Sequence, residues 1–496
     1  MFPYKTSITF DRKSNQPLYL QLSNQLIALI NANRLPSKTK LPGSRTLAAL
    51  LEVHRKTIVA CYDELLLQGW IETIPQRGTF VHSDLPELQQ QDFSEDSIIK
   101  DKNTTGFQFY KRDHLQKNTA IVSTGFITLN DGVSDARLTP INDIARIYRR
   151  ITSKKNASEH LSYGSVYGNE TLRVILASYL SQTRGLDISK EQILITRGSQ
   201  NGIYLASQLL FKKGDCVLVG DTNYASADTT FKNQEAKLIR VDVDVFGLNT
   251  NQIEEICQKQ NIKGVYVTSH HHHPTTVTLS AERRIHLLNL AQKYNFAIIE
   301  DDYDYDFNYN HSPILPLASH DVNGNVIYIG SVCKTVAPVF RVGYLVAPKA
   351  FVDEAAAYRK IVDRQGDALL ELTFASFIKS GDLDRHIKKV LKIYKVRRDL
   401  MCSLLTEKLA AYFEFEIPKG GMAIWLSLTK KLTWKRVAEA ALLQQLEIGD
   451  WTRYDPENLG HNAIRLGFAS YNEAEIYQLI EKFELTFKAI EEEKSS

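Results

Sequence analysis

Lys334 lies just past the apolar run Val326–Ile329, in the segment G-S-V-C-K-T-V-A-P-V-F-R-V-G-Y (residues 330–344). An amine beside a buried strand is costly unless it is paired or used chemically. Ser331 stands three residues before it and Arg341 seven after. Amine, hydroxyl and guanidinium together suit a phosphate-bearing aldehyde. The amine condenses with the carbonyl as a Schiff base, and the other two hold the phosphate. Upstream, F-A-I-I-E-D-D-Y-D (296–304) closes an apolar run with carboxylates. An acid at the end of a strand suits pairing with a protonated ring nitrogen, which keeps the ring an electron sink.

Further motifs lie around these. R-G-S-Q-N-G (197–202) joins an apolar run to a helical pattern, and backbone N–H groups at such a helix start cradle phosphate. A-I-R-L-G-F-A (463–469) places Arg465 in a short apolar run, and an arginine fork suits a carboxylate. Four adjacent histidines, His270–His273, precede Pro274. Neighbours on a strand point to alternate faces, so a clean metal site needs a further ligand elsewhere, and no metal is expected.

The S-x-x-K spacing, with arginine seven residues on, resembles the fold-type I pyridoxal-phosphate (PLP) enzymes of the aspartate aminotransferase superfamily. The resemblance implies that Lys334 bonds the cofactor, Asp301 pairs with its pyridine nitrogen and Tyr303 hydrogen-bonds its ring oxygen. It implies phosphate contacts from Ser331, Arg341, Ser199 and Gln200, and a stacking role for Tyr224 in D-T-N-Y. Tyr163, in S-Y-G-S-V-Y-G-N-E-T-L-R, matches the tyrosine that reaches the partner subunit's phosphate. Arg465 matches the binder of a substrate's α-carboxylate. The histidine run departs from the pattern, because many relatives carry asparagine followed by P-T-G there. Here Thr276 stands in place of the glycine. His271 is the histidine expected to line the cofactor pocket.

These residues need a scaffold. Q-I-L-I-T (192–196), C-V-L-V-G (216–220), G-V-Y-V-T (264–268), F-A-I-I-E (296–300), V-I-Y-I-G (326–330) and V-G-Y-L-V-A (342–347) read as strands buried on both faces. Helical periodicity over 199–211 and 280–294 fills the gaps between them. This predicts a large α/β domain over 119–496 with a mainly parallel central sheet. Long helical patterns after 385, with short strands near 422–428 and 463–468, predict a small α+β subdomain over about 385–496.

The first 83 residues differ in kind. They hold ten Lys/Arg against five Asp/Glu, in a chain whose formal net charge is only +3. That concentration of positive charge suits a polyanionic partner. Apolar spacing predicts a helix over 17–33, and a second helix opens at Ser44 as N-cap. A third, R-K-T-I-V-A-C-Y-D-E-L-L-L-Q-G-W, buries Ile58, Cys61, Tyr62 and Leu65. Two strands around a turn at Pro75–Gly78 follow as a wing. Helix, turn and helix with basic residues opening the second helix is a major-groove docking geometry. L-P-G-S-R-T-L-A and Q-R-G-T-F-V resemble the winged helix-turn-helix of the GntR family. That resemblance implies DNA contacts from Arg45, Arg55, Lys56, Thr57, Arg77 and Gly78.

Residues 84–118 are polar, acidic at first, and read as a flexible linker. The five cysteines are scattered with no C-x-x-C pair, so a reducing cytoplasm is expected. No apolar signal core and no membrane-length apolar run occurs. A GntR-type winged helix followed by an aminotransferase-like domain resembles the MocR/GabR-type transcription regulators. The resemblance implies a head-to-tail homodimer that binds PLP and double-stranded DNA. It also implies an amine, amino acid or PLP itself as effector, sensed through aldimine chemistry at Lys334. A catalytically active aminotransferase with an accessory domain is the alternative. Arg55-Lys56-Thr57 heading a helix speaks against it, since a pure enzyme has no use for them.

Overall fold

A computed structural model describes residues 2–85, 105, 107–112, 115, 125–309, 314–332, 334–429 and 432–495. Most of the expected linker, and Cys333, lie outside the described residues. The chain divides into two compact units, Met1–Lys111 and Arg112–Ser496.

In the first unit, α1 (Leu18–Asn31), α2 (Ser44–Leu51) and α3 (Arg55–Leu67) pack around Leu22, Leu26, Leu47, Ile58 and Leu65. The buried residues of α3 are Ile58, Cys61, Tyr62 and Leu65, as its periodicity requires. Gly43, not Ser44, occupies the N-cap of α2; Ser44 is already helical, and its hydroxyl accepts from Arg55 Nε at 3.4 Å. His54 caps α3 instead, its Nδ1 accepting from Lys56 N–H at 3.1 Å. β1 (Ile71–Ile74) and β2 (Gly78–Val81) pair antiparallel, with Ile71 opposite Val81 and both buried.

The second unit is built on a seven-stranded sheet. Its strands are β3 (Ile193–Thr196), β4 (Cys216–Gly220), β5 (Lys237–Val241), β6 (Gly264–Val267), β7 (Ala297–Asp302), β8 (Val326–Ser331) and β9 (Gly343–Val346). They lie in the order β3-β9-β8-β7-β6-β4-β5. Only β9 runs against its neighbours; the other pairs are parallel. β3 and β6 are buried at every residue, which is why they read as unbroken apolar runs. β5 was not foreseen from sequence. It is an edge strand whose Lys237 is exposed and whose centre is half-buried, so it carries no such run.

Helices cover both faces. α4 (Ser199–Leu210) packs on one face with Leu194, Ile299, Ile327 and Leu345. Helix Ala281–Tyr294 covers the other with Leu218, Val265 and Ile298. Beyond the sheet, helix Asp382–Leu409, strands Ala423–Leu428 and Ala463–Gly467, and helix Glu473–Ser495 share a separate apolar core around Met401, Ile424, Leu466 and Phe483. Ile127–Thr128 joins this small subdomain by pairing with Leu446–Glu447.

Candidate functional site

Parallel topology gathers the chemistry at one edge of the sheet. The carboxyl ends of parallel strands share one rim, where ligands of open α/β sheets bind. β7 ends in Asp301 and Asp302, and β8 beside it ends in Ser331, three residues before Lys334. β3 leads through Gly198 into α4, which starts at Ser199. β4 leads to Tyr224, at the start of helix Ala225–Asn233. β9 runs the other way, so its amino end, preceded by Arg341, reaches the same rim.

A cavity of about 420 Å³ opens there. Eight of the residues predicted for cofactor binding line it: Ser199, Gln200, Tyr224, Asp301, Tyr303, Ser331, Lys334 and Arg341. Lys334 Nζ donates to the Gly132 carbonyl at 3.2 Å and lies 4.8 Å from the centre of the Tyr303 ring. Burial, together with the positive charge of Arg465, holds its amine below the ordinary lysine range despite nearby Asp131. A lowered amine gives up its proton more readily, and the unprotonated amine is the form that attacks a carbonyl.

Asp301 is 3% exposed. Burial pushes its carboxyl up to about 7, against the lowering effect of a hydrogen bond from Tyr266 Oη, 2.8 Å from Oδ2. Its Oδ1 has no hydrogen-bond partner among the described residues. Gln200 donates through Nε2 to Thr230 Oγ1 at 2.8 Å, and its Oε1 is likewise unspent. Gly198 has φ +74°, and a Cβ there would stand 2.7 Å from Arg341 Nη2. Arg341 itself sits in the left-handed region at φ 51° and donates to the Arg197 carbonyl at 2.9 Å. The turn thus holds a guanidinium against bare backbone at a helix start, a geometry suited to an anion.

These features meet what PLP requires. An unspent carboxylate oxygen is available for a ring nitrogen, an amine for an aldehyde, and a backbone-lined cradle with arginine for a phosphate.

Three residues lie elsewhere than the sequence suggested or do more than it suggested. His271 does not line the cavity. Its Nδ1 lies 2.9 Å from Asp304 Oδ1, and its ring packs so closely on Gly420 that a Cβ there would collide with it. His273 lines the cavity instead, its ring 5.1 Å from Tyr224 and 6.0 Å from Tyr303, both edge-on. Residues 268–275 form no strand, so the alternation of faces expected for a strand does not apply to the run. Burial lowers His273 to about 4, which leaves it neutral at physiological pH. Tyr163 is 78% exposed and stacks under the Arg364 guanidinium at 4.1 Å, away from its own chain's cavity. Arg465 is buried, and its guanidinium donates to the Asp131 carbonyl (2.8 Å), the Pro274 carbonyl (3.1 Å) and Tyr303 Oη (3.1 Å).

Sequence reasoning missed Asp131, Ser226, Tyr266 and Thr268, which also line the cavity. Tyr266 left a signal, as the one polar tip in the apolar run of β6. Asp131 left none, because it sits in an irregular segment far from every motif.

On the first unit, Arg45, Arg55 and Lys56 are exposed on α2 and α3, with Thr57 half-buried beside them. Arg77 and Gly78 are exposed at the wing tip.

Comparison with known proteins agrees with both units. Residues 127–483 match the family "Aminotransferase class I and II", and residues 18–81 match "Bacterial regulatory proteins, gntR family". The HTH-type transcriptional regulator YdfD of Bacillus subtilis is 28% identical, over 91% of this chain and 92% of its own. The probable rhizopine catabolism regulatory protein MocR of Rhizobium meliloti is 24% identical, over 98% and 96%. The crystal structure of Pyrococcus horikoshii kynurenine aminotransferase in complex with PMP superimposes with TM-score 0.71 at 27% identity, over 77% of this chain and 97% of that one. The chain belongs to the aminotransferase class I and II family, in the MocR-type arrangement in which a gntR-family domain precedes the aminotransferase-like one.

Proposed function

We propose that the protein is a PLP-dependent transcription regulator. Its first unit binds double-stranded DNA, and its second senses an amine, an amino acid or PLP itself in the cavity around Lys334. The observation that carries this reading is one cavity holding a half-buried amine, Lys334, and a buried carboxyl, Asp301, with an oxygen that has no partner among the described residues. The chain that owns it also presents a basic helix-turn-helix.

PLP, when bound, supplies an aldehyde that exchanges between primary amines and a ring that draws electrons. The rest falls to the protein. Lys334 would hold the cofactor and give way to the effector's amino group. Asp301 would pair with the ring nitrogen and Tyr303 with the ring oxygen. Ser199, Gln200, Ser331 and Arg341 would hold the phosphate, with Tyr224 and His273 against the ring. Arg465 would take the effector's carboxylate by exchanging its present carbonyl partners. Exposed Tyr163 would complete the phosphate site of the other subunit in a head-to-tail homodimer. Arg45, Arg55, Lys56, Thr57 and the wing at Arg77–Gly78 would contact DNA in the cytoplasm. No helix among the described residues is long and apolar enough to cross a membrane.

An effector changes DNA binding only if it prefers one of two arrangements of the protein. The test is Lys334→Ala, followed by visible absorbance and by DNA binding with and without a panel of amines and amino acids. The reading expects loss of the cofactor absorbance and of the effector response together. An intact response in a protein without that absorbance would overturn it. The alternative, an aminotransferase, draws on the same Lys334, Asp301 and Arg465. Sustained conversion of an amino acid to its keto acid, with DNA binding indifferent to ligands, would favour that alternative.

A further inference from the structure

The cavity holds one ionised group that the cofactor does not use. With Ser199, Gln200, Tyr224, Asp301, Tyr303, Ser331, Lys334 and Arg341 assigned to PLP, the lining left over is Asp131, Val133, Ser226, Tyr266, Thr268, His273 and Pro338. Tyr266 is spent on Asp301 and Thr268 on the His273 N–H. Asp131 alone among them carries charge, since His273 is neutral.

Its backbone is fixed from several sides. Asn130 Oδ1 accepts from Gly132 N–H at 3.0 Å and Val133 N–H at 3.2 Å. The Asp131 carbonyl accepts from Arg465 Nε at 2.8 Å, and the Gly132 carbonyl from Lys334 Nζ at 3.2 Å. The segment is therefore tied both to the expected carboxylate binder and to the reactive amine. The Asp131 side chain is 29% exposed and accepts no hydrogen bond within 3.5 Å among the described residues. Its nearest cationic or ring nitrogens are Arg453 Nη2 at 3.6 Å and His273 Nε2 at 3.8 Å. Burial opposes its ionisation, but His273 and the charges of Lys334 and Arg453 outweigh this and hold it well below the usual carboxylate range. A half-buried carboxylate whose oxygens accept no hydrogen bond among the described residues favours a ligand that brings donors, above all a charged one.

We propose that Asp131 selects the effector's chemical class, namely an amino compound that carries a second, cationic amino group besides the one that meets Lys334. The inference rests on the sensor reading above and names its ligand. A neutral ligand brings the carboxylate no hydrogen-bond donor, and an acidic one sets two negative charges side by side. Both cost binding energy that the dibasic ligand gains.

The test uses the full-length, PLP-loaded protein and three probes: L-lysine, its uncharged counterpart L-norleucine, and L-glutamate. Calorimetry and cofactor absorbance give the affinities. The expected result is a preference for lysine over norleucine of about tenfold, the usual scale of one charge-assisted hydrogen bond, with glutamate weakest. In Asp131→Asn the lysine-to-norleucine ratio falls to about twofold or less, and Asp131→Glu recovers part of it. A wild-type preference for norleucine or glutamate, or a ratio unchanged in Asp131→Asn, would overturn the assignment and leave the sensor reading standing. If no probe perturbs the bound cofactor, this inference falls, and the sensor reading is decided separately by Lys334→Ala.

Discussion

Tyr266 Oη donates to Asp301 Oδ2 at 2.8 Å, which orients the carboxylate, while Oδ1 has no partner among the described residues. The two residues sit on neighbouring parallel strands, β6 and β7. Asp301→Asn keeps the shape and removes the charge. Loss of a charge-assisted hydrogen bond, about 1.5–3 kcal/mol, corresponds to PLP binding weakened about 10- to 100-fold. Tyr266→Phe removes only the orienting bond, so its effect is expected to be smaller. Equilibrium dialysis with PLP measures both. Equal affinity in Asp301→Asn and the wild type would exclude the pairing role.

The same carboxyl gives a pH signature. Burial raises Asp301 from 3.8 to about 7 in the fold. A raised carboxyl contributes full stability below the unfolded value and loses it as pH rises toward the folded one. The cofactor-free protein should therefore lose stability between about pH 4 and pH 7, by up to about 4 kcal/mol from this group. Asp301→Asn should flatten that part of the profile. Thermal denaturation of the cofactor-free protein and the variant, from pH 4 to 8, checks it; parallel profiles would refute it.

Gly198 takes a side chain only with strain. At φ +74° a Cβ is strained, and it would stand 2.7 Å from Arg341 Nη2. Gly198→Ala should cost about 1–3 kcal/mol of stability and displace Arg341 from the cavity. The expected readout is a lower Tm together with weaker binding of inorganic phosphate and of PLP. Unchanged phosphate binding would mean that the turn is structural only.

Arg55 and Lys56 are exposed at the start of α3. If each neutralises a phosphate, alanine at either position weakens DNA binding across sequences. Each change would also reduce the slope of log affinity against log salt by about 1. Fluorescence anisotropy at several salt concentrations measures this. An unaltered slope would move the DNA surface elsewhere.

Much of this protein was legible because its signals are local. Lys334, Ser331 and Arg341 lie within eleven residues of one another, and the strands that lead to Asp301 and Lys334 open on the apolar runs Ala297–Ile299 and Val326–Ile329 because the sheet is covered on both faces. The stripe of Ile58, Cys61, Tyr62 and Leu65 likewise follows from helical period alone. Tertiary structure decided what has no period. β5 is an edge strand with a half-polar surface, and Ile127–Thr128 finds its partner only at Leu446–Glu447, more than 300 residues away. Which histidine faces the cavity depended on an irregular loop, where spacing does not set direction, so His273 took the place expected of His271. Lys334 could be picked out from sequence, but Asp131 could not. The segment that brings Asp131 beside Lys334 is held there by carbonyl contacts to Arg465 and Lys334 themselves, and such contacts exist only once the chain has folded.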